Sequence, residues 1–515
     1  MNSGKLCISV CAPTADEMIE RITRAKEMAD IVEIRFDCLH ADGFDYHDYH
    51  RAQAVHRRIV DSAGYEGTLT TFRAAEQGGT RALDEKERSN FWASGCETEF
   101  VDLEEDIVED SFAWLWDTRI CSFHDFSGVP ADVSTTFDRL ARTNTKVIKV
   151  AVAANDITDS ISVWKLIEQA EQYRPINRPR VIPIAMGEAG KWTRILGLAH
   201  GAFLTYASLE DGKGTADGQI SARDMVDVFR VKELDLDTRV YGIVGAPVSG
   251  SMSPYFQNPA FKKVGVNAVF IPLLVKDLDQ FIKRMVSPAT REVELNFGGF
   301  SVTMPHKLAI MRHLDEIDPV AKAVGAVNTV VINNGRLIGH NTDVHGFIVP
   351  LKKNFGDLKG ARVSIAGAGG AARACIYALA QEGAEVTIYA RDQKKAATLA
   401  EELGVKVVVP DGSFKPGTVD ILVNATPLGM HGGETEGTIA TADRLDGVKL
   451  VYDLVYNPVE TRLRREAKAA GVPAIGGLEM LVAQGAKQFE LWTGQKAPIE
   501  TMKAALHKRI AETAK

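Results

Sequence analysis

The feature that most constrains this chain is an alternation. Between Lys5 and about Arg230, eight short apolar strands are each trailed by an amphipathic helix. The strand candidates are Lys5–Val10, Ile31–Arg35, Gly67–Phe72, Phe100–Leu103, Arg119–Phe123, Lys146–Val150, Arg180–Ile184 and Phe203–Tyr206. Their near-continuous apolar character suits strands buried on both faces of a parallel sheet. Thr14–Met28 reads as one intervening helix, with Thr14 placed to cap it and Asp16 and Glu17 in its first turn. Eight such units within the usual span of roughly 250 residues predict a closed (β/α)8 barrel, with its chemistry at the C-terminal ends of the strands.

The 515 residues exceed what one ordinary core serves. Val231–Thr238 is short and polar and marks a seam. A second α/β unit follows, opening with strand Val240–Val244. Arg362–Ala366 then reads as a strand leading into GAGGAAR (Gly367–Arg373) and a helix, with Glu385–Tyr389 the next strand, a dinucleotide-binding βαβ pattern. Helices Leu478–Trp492 and Ile499–Ala514 are expected to return to the first lobe of this half. The predicted division is therefore a barrel over 1–234, a substrate lobe over 238–345 and 478–515, and a Rossmann-type lobe over 346–477.

Composition narrows the function classes. With 45% hydrophobic and 25% charged residues the chain has the balance of a folded protein, and its lysines and arginines are scattered over a net charge of -8. Nucleic-acid binding is disfavoured. No apolar run approaches membrane-spanning length, and the first strand starts close to Met1, so a cytoplasmic protein without signal or transit peptide is expected. The six cysteines (Cys7, Cys11, Cys38, Cys96, Cys121, Cys375) show no metal or scaffold spacing and are expected as free thiols. His47 and His50 mimic a metal pair at helical spacing, but no third ligand is evident, and a polar helix face is the preferred reading.

Candidate chemistry on the barrel rim comprises Glu33, Arg35, Arg73, His124, Lys149, Arg194, Thr215 and Gln219. Lys149 interrupts the apolar run Val147–Val150. A buried lysine must be paired or chemically used, and desolvation frees its amine to attack a carbonyl. A packed stem with a snorkelling ammonium accounts for Lys149 alone equally well. His124 one strand away supplies a proton shuttle, and the three arginines point to an anionic substrate such as a small carboxylate.

Taken in order, these residues resemble type I 3-dehydroquinate dehydratase. Glu33-Ile34-Arg35-Phe36-Asp37, Phe72-Arg73, His124-Asp125, Lys149, Met186-Gly187 with Arg194, and the Thr215–Gln219 loop match that family's motifs. The resemblance implies that Lys149 forms an imine with the substrate ketone and that His124 moves the protons. It further implies that Arg194 holds the carboxylate, Gln219 and Thr215 sit on a lid, and Glu33, Arg35 and Arg73 bind hydroxyls. One departure is Glu76-Gln77 before Gly78-Gly79, where family members often carry the acid next to the glycines.

The second half resembles shikimate dehydrogenase. Ser251 and Ser253, Ser301–Lys307, Ala326–Thr329, Gly339–Asp343, Asn424–Met430, Asp453–Pro458 and the Gln484 helix follow in that family's order. The resemblance implies a Lys307–Asp343 dyad handling the substrate proton. Ser251 and Ser253 would hold the carboxylate, and Thr303, Asn328, Tyr456 and Gln484 the ring hydroxyls. Gly367, Ala368, Gly369, Gly370, Ala371, Thr426 and Met430 are the expected cofactor contacts. Arg391 and Lys395 follow the second Rossmann strand and favour a 2'-phosphate, hence NADP, although Asp392 beside them blurs that reading. Gly250 stands where the family usually has histidine.

The combined expectation is a metal-free, monomeric enzyme that dehydrates 3-dehydroquinate to 3-dehydroshikimate and reduces the latter to shikimate with NADPH. The rivals are a quinate dehydrogenase in the second half and a catalytically silent regulator that senses these metabolites.

Overall fold

The computed structural model describes residues 2–40, 49–93, 98–109, 118–143, 145–175, 178–405 and 418–513. Contacts divide the chain into two units, one of Met1–Pro254 with Asn267–Phe297 and one of Tyr255–Val266 with Gly298–Lys515.

In the first unit, strands β1 (Lys5–Val10), β2 (Ile31–Arg35), β3 (Thr68–Thr71), β4 (Phe100–Glu104), β5 (Arg119–Asp125), β6 (Val147–Ala153), β7 (Arg180–Met186) and β8 (Leu204–Ser208) form one parallel sheet in the order β7-β6-β5-β4-β3-β2-β1-β8. The Phe203 N–H, at the foot of β8, donates to the Val181 carbonyl of β7 at 2.8 Å, so the sheet returns on itself as a (β/α)8 barrel. Between β1 and β2 the helix runs Ala15–Lys26, and the Thr14 hydroxyl accepts the Glu17 N–H as its cap.

Each strand contributes to one apolar cluster inside the barrel, through Cys7, Ile31, Leu69, Phe100, Ile120, Val147, Ile182 and Leu204 among others. Strand side chains repeat with period two, so the residues two positions on form the next layer towards the C-terminal rim. Those residues are Ser9, Glu33, Thr71, Asp102, Ser122, Lys149, Ile184 and Tyr206. An apolar floor thus carries a mostly polar layer above it. β6 continues past its expected end because Ala151-Val152-Ala153 stays apolar, which leaves Lys149 in mid-strand.

The same unit contains β9 (Arg239–Gly245) and β10 (Ala268–Leu274), a parallel pair. Asp156, in the loop after β6, accepts the Lys276 N–H at 2.7 Å, and Lys165 pairs with Glu292 at 2.9 Å.

In the second unit, β13 (Thr329–Asn333) runs antiparallel to both β11 (Phe297–Val302) and β14 (Arg336–His340), and β12 (Glu316–Ile317) lies parallel to β14. β15 (Arg362–Ala366), β16 (Glu385–Tyr389), β17 (Ile421–Asn424), β18 (Leu450–Asp453) and β19 (Ala474–Ile475) make a parallel sheet in the order β16-β15-β17-β18-β19. The order reverses beside β15, the crevice where open α/β sheets bind nucleotides. Helices Gly477–Thr493 and Ile499–Thr513 close the chain.

The expectation of free thiols is corrected at two positions: Cys11 and Cys38 form a disulfide. β1 and β2 are parallel neighbours, so both cysteines are delivered to the same end of the sheet, with their Cα atoms 5.5 Å apart. Cys7, Cys121 and Cys375 are free and buried, and Cys96 lies outside the described residues. His47 also lies outside them, while His50 is exposed on helix Tyr49–Ala63. Among the described residues no group of three or more His, Cys, Asp or Glu side chains could hold a metal ion, and no helix is long and apolar enough to cross a membrane.

Candidate active sites

Glu33, Arg35, Arg73, His124, Lys149, Arg194, Thr215 and Gln219 all line one cavity at the C-terminal end of the barrel. At its centre Lys149 Nζ donates to Asp102 Oδ2 at 2.8 Å, and Arg73 Nη2 ion-pairs with the same oxygen at 2.6 Å. Against the cost of burial, Arg73 and Lys149 hold the Asp102 carboxyl well below the usual carboxylate range. Burial lowers the Lys149 pKa, with Asp102 opposing the fall and Arg73 adding to it. One carboxylate therefore faces two buried cations, and the lysine is the member that can shed its charge.

Arg73 Nη1 also meets His124 Nδ1 at 2.9 Å and donates to Ser122 Oγ at 3.2 Å. Arginine has no acceptor, so Nδ1 receives this bond and the ring carries its proton on Nε2. Burial, with Arg73 and Lys149 as cationic neighbours, pushes the His124 pKa well below 6.5, which keeps the imidazole neutral.

Around this centre Glu33 accepts from Ser9 and from Thr71 Oγ1, the latter at 2.8 Å. Arg35 is held in a two-bond fork by Asp37, both at 2.8 Å, and donates to the Gly78 carbonyl at 2.9 Å. The Thr80 N–H donates to Asp37 at 3.0 Å, so the glycine turn is tied to the arginine. Gln219 Oε1 accepts the Thr215 N–H at 2.8 Å, closing their loop on itself. Arg194 is buried, and burial lowers its pKa to about 10. Gln77 faces the cavity, whereas Glu76 is exposed and outside its lining.

In the second unit Lys307 Nζ lies 2.6 Å from Asp343 Oδ2, and Asn328 Nδ2 donates to Asp343 Oδ1 at 2.8 Å. Asp343 opens helix Asp343–Phe355, where the exposed amides of a helix N-terminus favour negative charge. The turn that presents Lys307 is closed by the His306 N–H on the Thr303 carbonyl at 2.9 Å. Tyr456 is half-buried, and Gln484 Nε2 donates to the Leu481 carbonyl at 2.9 Å. Ser251 and Ser253 lie in the first unit, where Ser253 starts helix Ser253–Val264 and its N–H meets Ser251 Oγ at 3.3 Å.

The turn after β15 fits a dinucleotide phosphate. Gly367 has φ 115°, and a Cβ there would stand 2.7 Å from the Ala425 carbonyl oxygen. Gly369 caps helix Gly370–Gln381 with no side-chain bond, so the N-terminal amides face outward past Ala368, Gly370 and Ala371. Thr426 Oγ1 donates to Asn424 Oδ1 at 2.6 Å, and Met430 is exposed beyond it. Asp392 accepts the Lys395 N–H at 2.9 Å as the cap of helix Gln393–Leu403. Its carboxylate is thereby engaged, while Arg391 and the Lys395 side chain are exposed.

Comparison with known proteins is consistent along the chain. Residues 6–235 match the type I 3-dehydroquinase family model. Residues 243–330 match the shikimate dehydrogenase substrate binding domain, 350–426 the shikimate/quinate 5-dehydrogenase model, and 477–507 the shikimate 5'-dehydrogenase C-terminal domain. A bifunctional 3-dehydroquinate dehydratase/shikimate dehydrogenase of Arabidopsis thaliana, chloroplastic by its description, is 34% identical over 97% of this chain and 83% of its own length. The chain belongs to the family of bifunctional 3-dehydroquinate dehydratase/shikimate dehydrogenases. The dehydrogenase half of this family member is also 43% identical to the NADP(+) shikimate dehydrogenase of Methanopyrus kandleri, over 53% of this chain and 96% of that one. A crystal structure of a shikimate dehydrogenase in complex with NADP+ shares 40% identity over 54% of this chain and 97% of its own, with a TM-score of 0.50.

Three residues of the dehydratase half were not singled out from the sequence: Asp102, Ser9 and Tyr206, which stand beside Lys149 and Glu33. Asp37, quoted there only as part of a motif, orients Arg35. Asp102 carried a signal, since an acid inside the apolar strand Phe100–Glu104 raises the same question as Lys149 inside its own.

Proposed function

We propose that the barrel dehydrates 3-dehydroquinate through an imine on Lys149, and that the second half reduces the resulting 3-dehydroshikimate with NADPH. The observation that carries this reading is the set of buried Lys149, Asp102 and Arg73 with half-buried His124 at a cationic cavity. The lowered Lys149 pKa raises the share of free amine, whose lone pair adds to the ketone carbon while the ketone oxygen leaves as water. The imine withdraws electrons from the adjacent carbon. Neutral His124 takes the proton there, the new double bond expels the hydroxyl with a proton as water, and a further water hydrolyses the imine to restore Lys149. Glu33, Arg35 and Arg73 would orient the hydroxyls together with Lys149 and His124, Arg194 would hold the carboxylate, and Thr215 with Gln219 would form the covering loop.

When bound, NADPH supplies a hydride. Gly367–Ala371 would seat its pyrophosphate, Thr426 and Met430 would border it, and Arg391 with Lys395 would meet the 2'-phosphate. Lys307 would give a proton to the carbonyl oxygen as the alcohol forms, with Asp343 and Asn328 holding the ammonium in place. Ser251 and Ser253 would bind the carboxylate, and Thr303, Tyr456 and Gln484 the hydroxyls. We assign dehydration to 1–234, substrate binding for reduction to 238–345 and 478–515, and the cofactor to 346–477.

Borohydride trapping tests the first step. With 3-dehydroquinate present, reduction should attach the substrate skeleton to the peptide containing Lys149 and stop dehydration, and Lys149→Met should take up none. Label at another lysine, or full activity in the variant, would refute the assignment.

A further inference from the structure

Tyr206 on β8 belongs to the same barrel layer as Lys149 and lines the same cavity, yet none of the roles above uses it. Only 3% of it is exposed. Lys149 Nζ lies 4.5 Å from the centre of its ring. Its hydroxyl has no hydrogen-bond partner among the described residues, and the same holds for Nε and Nη1 of Arg194. Both side chains line the one cavity. Buried polar atoms of folded proteins are nearly always paired, so three orphaned donors in one cavity wall point to a ligand group that accepts from all of them. An anion with two oxygens fits, because Arg194 brings a positive charge and the phenol brings a neutral donor. Burial, with Glu33 nearby, raises the phenol pKa well above 10, so the hydroxyl keeps its proton.

We propose that the Tyr206 hydroxyl is a substrate-binding donor that shares the substrate carboxylate with Arg194, setting affinity for the anionic substrate without taking part in the imine chemistry. This rests on the dehydratase reading given above. Lys149 Nζ lies over the Tyr206 ring, and Arg194 lines the same cavity.

Tyr206→Phe deletes the hydroxyl and keeps the ring under Lys149. Losing a hydrogen bond to a charged group should raise KM for 3-dehydroquinate by about tenfold or more. In the same variant kcat should stay within about twofold of the parent, and borohydride at saturating substrate should still label Lys149. The thermal midpoint should hold or rise, since a buried hydroxyl without a protein partner is removed. A KM within about twofold of the parent would overturn the proposal, as would a fall in kcat at constant KM, which would assign the hydroxyl to the chemistry. If the unmodified enzyme neither dehydrates the substrate nor is labelled at Lys149, the dehydratase reading itself fails. Normal activity and labelling of the parent with an unaltered KM in the variant would sink this proposal alone.

Discussion

At residue scale the barrel's chemistry depends on a charge imbalance, because buried Asp102 faces both Arg73 and Lys149. Removing the shared anion strands two buried cations, so Asp102→Ala should lower unfolding stability by about 3–5 kcal/mol, read from denaturant titration. Lys149→Met leaves Asp102 paired with Arg73 and nearly conserves volume. It should abolish dehydration at a cost under about 1.5 kcal/mol, and comparable destabilisation by both variants would contradict this ordering. The histidine makes a separate prediction. Its pKa is depressed from 6.5, and a base that remains neutral keeps working in acid, so kcat for dehydration should hold its plateau as pH falls through 6.5 and decline only well below it. An acid limb at or above 6.5 would show that Arg73 does not hold the ring neutral. Lys149 was legible in the sequence as a polar interruption of an apolar strand, and His124 as a polar residue at the end of one. Asp102 carried the same mark and was missed, and Tyr206 was unreadable because an aromatic residue in an apolar strand looks like core.

Among the elements, period-two alternation explains why the cavity has a polar wall on an apolar floor. The sequence shows eight strands, but their closure depends on the Phe203–Val181 bond between the first and last members in space, which no local pattern encodes. The Cys11–Cys38 disulfide was illegible for the same reason, since a sequence separation of 27 says nothing about which strand ends become neighbours. Alkylating the denatured, unreduced protein and mapping its peptides should recover Cys11 and Cys38 linked and Cys7, Cys121 and Cys375 modified. Alkylation of all five would remove the bridge from the account. In the second unit the turn after β15 tolerates no side chain at Gly367, where the backbone has φ 115° and Ala425 closes one side. Gly367→Ala should therefore raise KM for NADPH at least about tenfold, through about 1–3 kcal/mol of overpacking, while leaving dehydration unchanged. An unaltered KM would mean that the pyrophosphate sits elsewhere.

The whole molecule joins two sets of machinery whose reactions share an intermediate. Joining them raises the local concentration of that intermediate near the second site, and it requires neither site to borrow residues from the other. The activities should then be separable: Lys149→Met should retain reduction of added 3-dehydroshikimate, and Lys307→Met should retain dehydration. Reduction of quinate's ketone precursor faster than of 3-dehydroshikimate would instead favour the quinate reading of the second half, and loss of neither activity in these variants would undo the site assignments. The most direct measurement is NADPH absorbance after mixing the protein with 3-dehydroquinate alone. The account predicts a fall that needs the substrate and vanishes in either lysine variant. A steady signal with the unmodified protein, while added 3-dehydroshikimate is reduced, would contradict the claim that the barrel feeds the dehydrogenase.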